Sequence, residues 1–137
     1  MSLYLNFVRH KIAECHQHLY ALQITEEANS VNGPEVIDGP YPNVRKAFVE
    51  GIVAAKETLR ALGREGVKVG FHATPTFGPD AEFWSGIKDI ASGRFHEALD
   101  YVGLDFFPDV FRPLAPDGQQ GDLKQSVRGV LETLRRV

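Results

Sequence analysis

The run Ala21-Leu22-Gln23-Ile24-Thr25-Glu26-Glu27-Ala28-Asn29 decides how the rest of the chain is read. Leu22 and Ile24 alternate with Gln23 and Thr25, the period of a half-covered β-strand, and the run ends in two carboxylates before a loop rich in Gly, Pro and Asn. Two later stretches repeat the design. Val67, Val69 and Phe71 alternate with Lys68, Gly70 and His72, and Val102, Leu104 and Phe106 alternate with Tyr101, Gly103 and Asp105. Successive strand side chains point to opposite faces, so this parity predicts Glu27, His72 and Asp105 on one side of a sheet and at one end of it. Pro108 cannot donate a ladder hydrogen bond and should stop the third strand.

Helical patterns fill the intervals. Tyr4, Val8, Ile12, Cys15 and Leu19 step by threes and fours over residues 3–19. Val44, Phe48, Ile52, Ala55, Leu59 and Leu62 do the same over residues 44–62, with Asn43 placed as N-cap and Gly63 just past the end. Phe83, Trp84, Ile87 and Ile90 predict a helix starting near Asp80, and Gly93 separates it from a shorter piece over residues 94–99. Asp122 followed by Gln125 resembles a capping box ahead of Leu123, Val127, Val130, Leu131 and Leu134. The loops after Glu27 and over residues 109–121 are long, a length that is often functional and otherwise a surface excursion; Tyr41 and Asn43 stand in the first of them.

Strands separated by helical crossovers must run parallel, with right-handed connections. Parallel strands covered on both faces are apolar on both, whereas each of these has one mixed face, as strands lining a barrel lumen do. The expected fold is therefore α/β, a partial (β/α) barrel of TIM type with about three strands and four to five helices in a single domain over residues 1–137. A complete barrel has eight strands and about 250 residues, so roughly half a barrel is expected. No Gly-rich phosphate loop follows any strand, which argues against a nucleotide.

The 137 residues suffice for one core, and 43% hydrophobic with 24% charged residues is ordinary for a globular chain. Fifteen Lys and Arg against 18 Asp and Glu leave a net charge of −3, which offers no basic field for nucleic acid. No apolar run reaches the ~20 residues that span a membrane. The N-terminus lacks the features of a signal peptide, so a cytoplasmic location is expected, with secretion of a longer parent left open. The lone Cys15 cannot form an internal disulfide and reads as a core thiol. His16 and His18 lie two apart and face different ways on a helix. No serine nucleophile elbow is present.

Leu22-Gln23-Ile24-Thr25-Glu26-Glu27-Ala28-Asn29 is similar to the fourth-strand signature of barrel glycoside hydrolases of the large retaining clan. Val69-Gly70-Phe71-His72 resembles their fifth strand, and Tyr101 to Pro108 resembles their sixth; the likeness extends over about residues 20–115. It implies hydrolysis of O-glycosidic bonds with Glu27 as general acid/base. Glu26 stands where the family has an Asn that helps hold the sugar 2-hydroxyl. The family nucleophile ends a seventh strand for which this sequence has no counterpart. Candidate substrate-binding residues are Glu26, Asn29, His72, Trp84, Asp105 and Phe107, Trp84 being either a sugar platform or a core aromatic. Glycosidic cleavage needs two carboxyl groups about 5–5.5 Å apart for retention or 6.5–9.5 Å for inversion, and two strand spacings put Asp105 roughly 10 Å from Glu27. Glu27, His72 and Asp105 are also a conceivable metal set, but no metal or cofactor is assigned. Expected partners are a carbohydrate and a second copy paired through exposed sheet edges, with no nucleic acid or membrane. The alternative is a catalytically inactive half-barrel that is structural, self-associating or carbohydrate-binding.

Overall fold

The computed structural model describes residues 1–30, 38–74, 81–107 and 122–136. The chain divides into two compact units, Met1–Leu104 and Asp105–Val137. The first unit runs α1 (Ser2–Cys15), a 3-10 turn (His16–His18), β1 (Ala21–Gln23), α2 (Val44–Ala61), β2 (Lys68–Ala73), α3 (Ala81–Ile90), α4 (Gly93–Ala98) and β3 (Tyr101–Leu104). The strands form one open parallel sheet in the order β1-β2-β3. The α/β class and the parallel strands match expectation. Closure into a barrel is not part of what this sheet displays.

Register sorts the side chains into two faces. Leu22 pairs with Val69 and Phe71 with Val102, while Gln23 pairs with Gly70, Gly70 with Tyr101 and His72 with Gly103. Leu22, Val69 and Phe71 of the first set meet the helices, and Val102 stays exposed. Phe48 of α2 stacks on Phe71 with ring centres 4.8 Å apart, and Phe83 of α3 and Phe95 of α4 complete the cluster at 6.0 and 6.5 Å. Phe48, Ile52, Ala55, Leu59 and Val69 are sealed from solvent, and each large apolar side chain buried this way contributes roughly 1.5–3 kcal/mol. Gln23, Gly70, His72, Tyr101 and Gly103 share the opposite face.

The ends of α2 show what local chemistry decides. Gly63 adopts φ 67, Arg64 N–H donates to the Leu59 carbonyl at 2.8 Å and Gly63 N–H to Arg60 at 3.0 Å, the double bond of a Schellman stop. Asn43 precedes the helix as predicted, but its backbone is left-handed at φ 66 and its side chain makes no capping bond. Ser92, rather than Gly93, marks the boundary between α3 and α4, its Oγ accepting from Phe95 N–H at 3.4 Å.

In the second unit, Asp105, Phe106 and Phe107 are followed after an interval by α5 (Leu123–Leu134). Asp122 caps it as expected, its Oδ1 accepting from Lys124 N–H at 2.9 Å. Val127 and Val130 are half-buried and Leu123 and Leu131 exposed. The Asp80 helix start, the Pro108 stop and the loop over residues 109–121 lie outside the described residues. Among the described residues no helix is long and apolar enough to cross a membrane.

Candidate functional site

The carboxyl edge of the sheet is built by the chain leaving β1. Ile24 N–H still donates to the Gly70 carbonyl at 3.0 Å, and then the ladder stops. Parity had carried the strand on to Glu27, whereas β1 ends at Gln23. The cause is Asp38. Its Oδ2 accepts from Glu26 N–H at 3.0 Å and its own N–H donates to the Glu26 carbonyl at 3.1 Å, which turns the chain out of the sheet. Glu27 follows at φ 44, and its carbonyl accepts from Ser30 N–H at 2.9 Å to close the turn. A turn, not strand parity, therefore sets the direction of Glu27. A left-handed backbone costs a residue with a Cβ about 1–2 kcal/mol.

Two neighbours hold that turn down. Ala28 is buried in the core, and Asn29 is only 8% exposed. The Asn29 Nδ2 donates to the Thr74 carbonyl at 2.8 Å while its Oδ1 accepts from Thr74 N–H at 2.9 Å, so one side-chain amide joins the exits of β1 and β2. The clamp explains why Asn29 is buried: both functions of its amide replace ladder bonds that the diverging chains no longer make.

His72 and Tyr101 occupy the face opposite the helix cluster, half-buried, with ring centres 6.5 Å apart in an edge-to-face arrangement. Each ring crosses onto a glycine of the other strand. A Cβ on Gly70 would lie 2.7 Å from the Tyr101 ring, and one on Gly103 would collide with the His72 imidazole. Partial burial pushes the Tyr101 phenol above its ordinary pKa, so it is a neutral donor at physiological pH.

The candidate residues thus separate. Glu26, Glu27, Asn29 and His72 gather where β1 and β2 end, Glu26 exposed and Glu27 half-buried. Trp84 lies on the other side of the sheet, edge-on to Phe83 at 5.1 Å and 6.2 Å from Phe71, packed against the core. Asp105 and Phe107 belong to the second unit, Asp105 half-buried and Phe107 exposed. Among the described residues no three His, Cys, Asp or Glu side chains are grouped to hold a metal ion.

Two contributors escaped the pattern reading. Asp38 was signalled by its place in an Asp-Gly turn pair, and Gly39 packs so closely on the Ser30 carbonyl that no Cβ would fit. Tyr101 was signalled by the isolated glycines at 70 and 103, since a glycine inside a strand often marks the close approach of another group. No family model, curated protein or solved structure matches the chain.

Proposed function

We propose that the sheet is an arc of a (β/α) barrel and that its carboxyl edge handles saccharides in the manner of a glycosidase, with Glu27 as the proton-donating carboxyl. The observation that supports this reading is one-sidedness. Strands in the order 1-2-3 keep the aromatic faces of α2, α3 and α4 on one side and leave Gln23, His72 and Tyr101 on the other. An arc of barrel has this asymmetry, with polar side chains toward the lumen and catalytic groups beyond the carboxyl ends of the strands. The ring pair Tyr101–His72 offers an apolar body with polar tips, the kind of surface a sugar ring meets with both its C–H and O–H groups.

In this reading Glu27 protonates the departing glycosidic oxygen and His72 accepts or donates a hydrogen bond to a sugar hydroxyl. Hydrolysis also requires a second carboxylate, which the proposal does not assign; saccharide binding is its minimal form. Amide NMR during titration with a panel of mono- and oligosaccharides is the first test, and shifts should concentrate at Gln23, Glu27, His72 and Tyr101. Any release of 4-nitrophenol from chromogenic glycosides should fall at least about 100-fold in Glu27→Gln. Shifts confined to other parts of the molecule, or turnover indifferent to that substitution, reject the reading.

The alternative, an inactive self-associating half-barrel, is favoured by one observation. Val102 of the terminal strand β3 is 44% exposed on the face that helices cover elsewhere. Light scattering across a concentration series tests it, and a monomer throughout would count against it.

A further inference from the structure

A cavity of about 790 Å³ separates α1 from β1, away from the ring pair and from Trp84. One wall is the stripe Tyr4, Val8, Ile12 and Cys15, the second is the backbone and side chains of residues 22–25, and the third is the entry to α2 from Tyr41 to Ala47. The stripe from Tyr4 to Cys15 rises roughly 16 Å at the helical repeat, so the space is elongated. Its mouth is apolar, with Phe7 58% and Tyr41 57% exposed. The size falls within the ~300–1,000 Å³ of small-molecule sites.

Polar groups collect near the start of the two helices. Thr25 lines this end through its other atoms, its Oγ1 being closed to solvent. The Tyr4 hydroxyl reaches between Gly51 and Ile24, 2.9 Å from where a Gly51 Cβ would stand. Burial, and then the Asp38 carboxylate, push the Tyr4 phenol up, keeping it a neutral donor. Asp38 lines the same end. The opposite end, toward Cys15 and Leu22, is lined also by Lys11 and Gln23, and the Cys15 Sγ lies 2.9 Å from the Lys11 carbonyl.

What fits this space is decided by the edge of β1 and by charge. Ile24 turns its N–H to Gly70, so Gln23 and Thr25 face away from β2. An added strand would need the Thr25 carbonyl, and the Gln23 side-chain amide already donates to it at 2.7 Å. The three-residue β1 is thereby shut to strand addition. The lining cations Lys11 and Lys46 are engaged by Glu14 at 2.7 Å and Glu50 at 2.8 Å, and an anionic head would meet the Asp38 carboxylate. A hydroxyl avoids both problems, accepting from Tyr4 and donating to Asp38.

We propose that this cavity binds a neutral, elongated alcohol, its hydrocarbon body along the α1 stripe and its hydroxyl between Tyr4 and Asp38. The site is separate from the saccharide reading, sharing with it only Gln23 and none of Glu27, His72 and Tyr101. The test uses the full chain and 1-N-phenylnaphthylamine, a neutral dye that brightens in apolar sites. Saturable one-to-one binding is expected, with dodecan-1-ol displacing the dye at a concentration at least tenfold lower than dodecanoate. Ala47→Trp, which fills the third wall, should abolish dye binding with the far-UV circular dichroism unchanged. Tyr4→Phe should leave the dye bound and weaken dodecan-1-ol by about fivefold, the loss of one hydrogen bond. Should Ala47→Trp not fold, amide shifts of the parent chain on adding dodecan-1-ol serve instead, and they should centre on Val8, Ile12, Ile24 and Thr25. Absence of saturable binding, equal or better displacement by dodecanoate, shifts centred elsewhere, or a dimer that excludes the dye would each overturn the proposal.

Discussion

At the amino end of the sheet a buried cation joins three elements, whereas at the carboxyl end the joining is done by an uncharged amide. Lys56 of α2, 6% exposed, donates to the Val67 carbonyl at 3.1 Å and to the Asp100 carboxylate at 2.6 Å. The same Asp100 Oδ2 accepts from Val69 N–H at 2.8 Å, and the Lys68 ammonium lies 3.7 Å from Oδ1. Those charges are fully committed to tying α2, β2 and the entry to β3 together. Across the sheet, Asn29 ties two exits together without charge. The contrast teaches that one sheet can be closed by charge at one end and by a neutral amide at the other.

The largest effect should come from breaking the charged end. Lys56→Met leaves Asp100 partly buried without its ammonium and is expected to lose about 3–5 kcal/mol in urea unfolding, while adding Asp100→Leu should recover much of the loss. Acid probes the same cluster. Burial works to raise the Asp100 pKa, but the Lys56 hydrogen bond, the Val69 N–H and the nearby Lys56 and Lys68 charges outweigh it and hold it below its ordinary 3.8. A carboxylate depressed in the folded state stabilises above its unfolded pKa and loses that contribution as pH falls through the folded value. Thermal melts should therefore weaken below about pH 4, and Asp100→Asn should flatten this part of the profile.

The neutral end should yield less. Asn29→Ala strands the Thr74 peptide groups and is expected to cost about 2–3 kcal/mol. Hydrogen exchange should quicken at Thr74 and not at Val69, and equal quickening at both would mean that the two ends are not separate devices. Smallest is Glu27→Gly, which relieves the left-handed backbone and should raise stability by about 0.5–1 kcal/mol. A loss of more than 1 kcal/mol would show that the Glu27 side chain is a structural member of the turn.

The sequence carried the sheet further than the site. Alternation in Lys68–Ala73 and Tyr101–Leu104 is a property of two short windows and survives tertiary context, so the faces of β2 and β3 were readable. Gly63 was readable because a left-handed helix stop is local. Glu27 was not, because its orientation depends on Asp38, eleven positions away and silent in any period. Trp84 sat at helical spacing in a window that also suited a loop-edge platform, and only the meeting of α3 with Phe71 resolves which side of the sheet it occupies. The Lys56–Asp100 pair, 44 residues apart, has no sequence signature at all.

The ring-on-glycine arrangement of β2 and β3 means that the orientation of each aromatic is stored one strand away from the residue that bears it. A methyl at position 103 would evict the imidazole of His72, and one at 70 would strike the Tyr101 backbone carbonyl as well as its ring. Redesigning that surface would therefore begin with the hollows beneath the rings and only afterwards with the rings themselves.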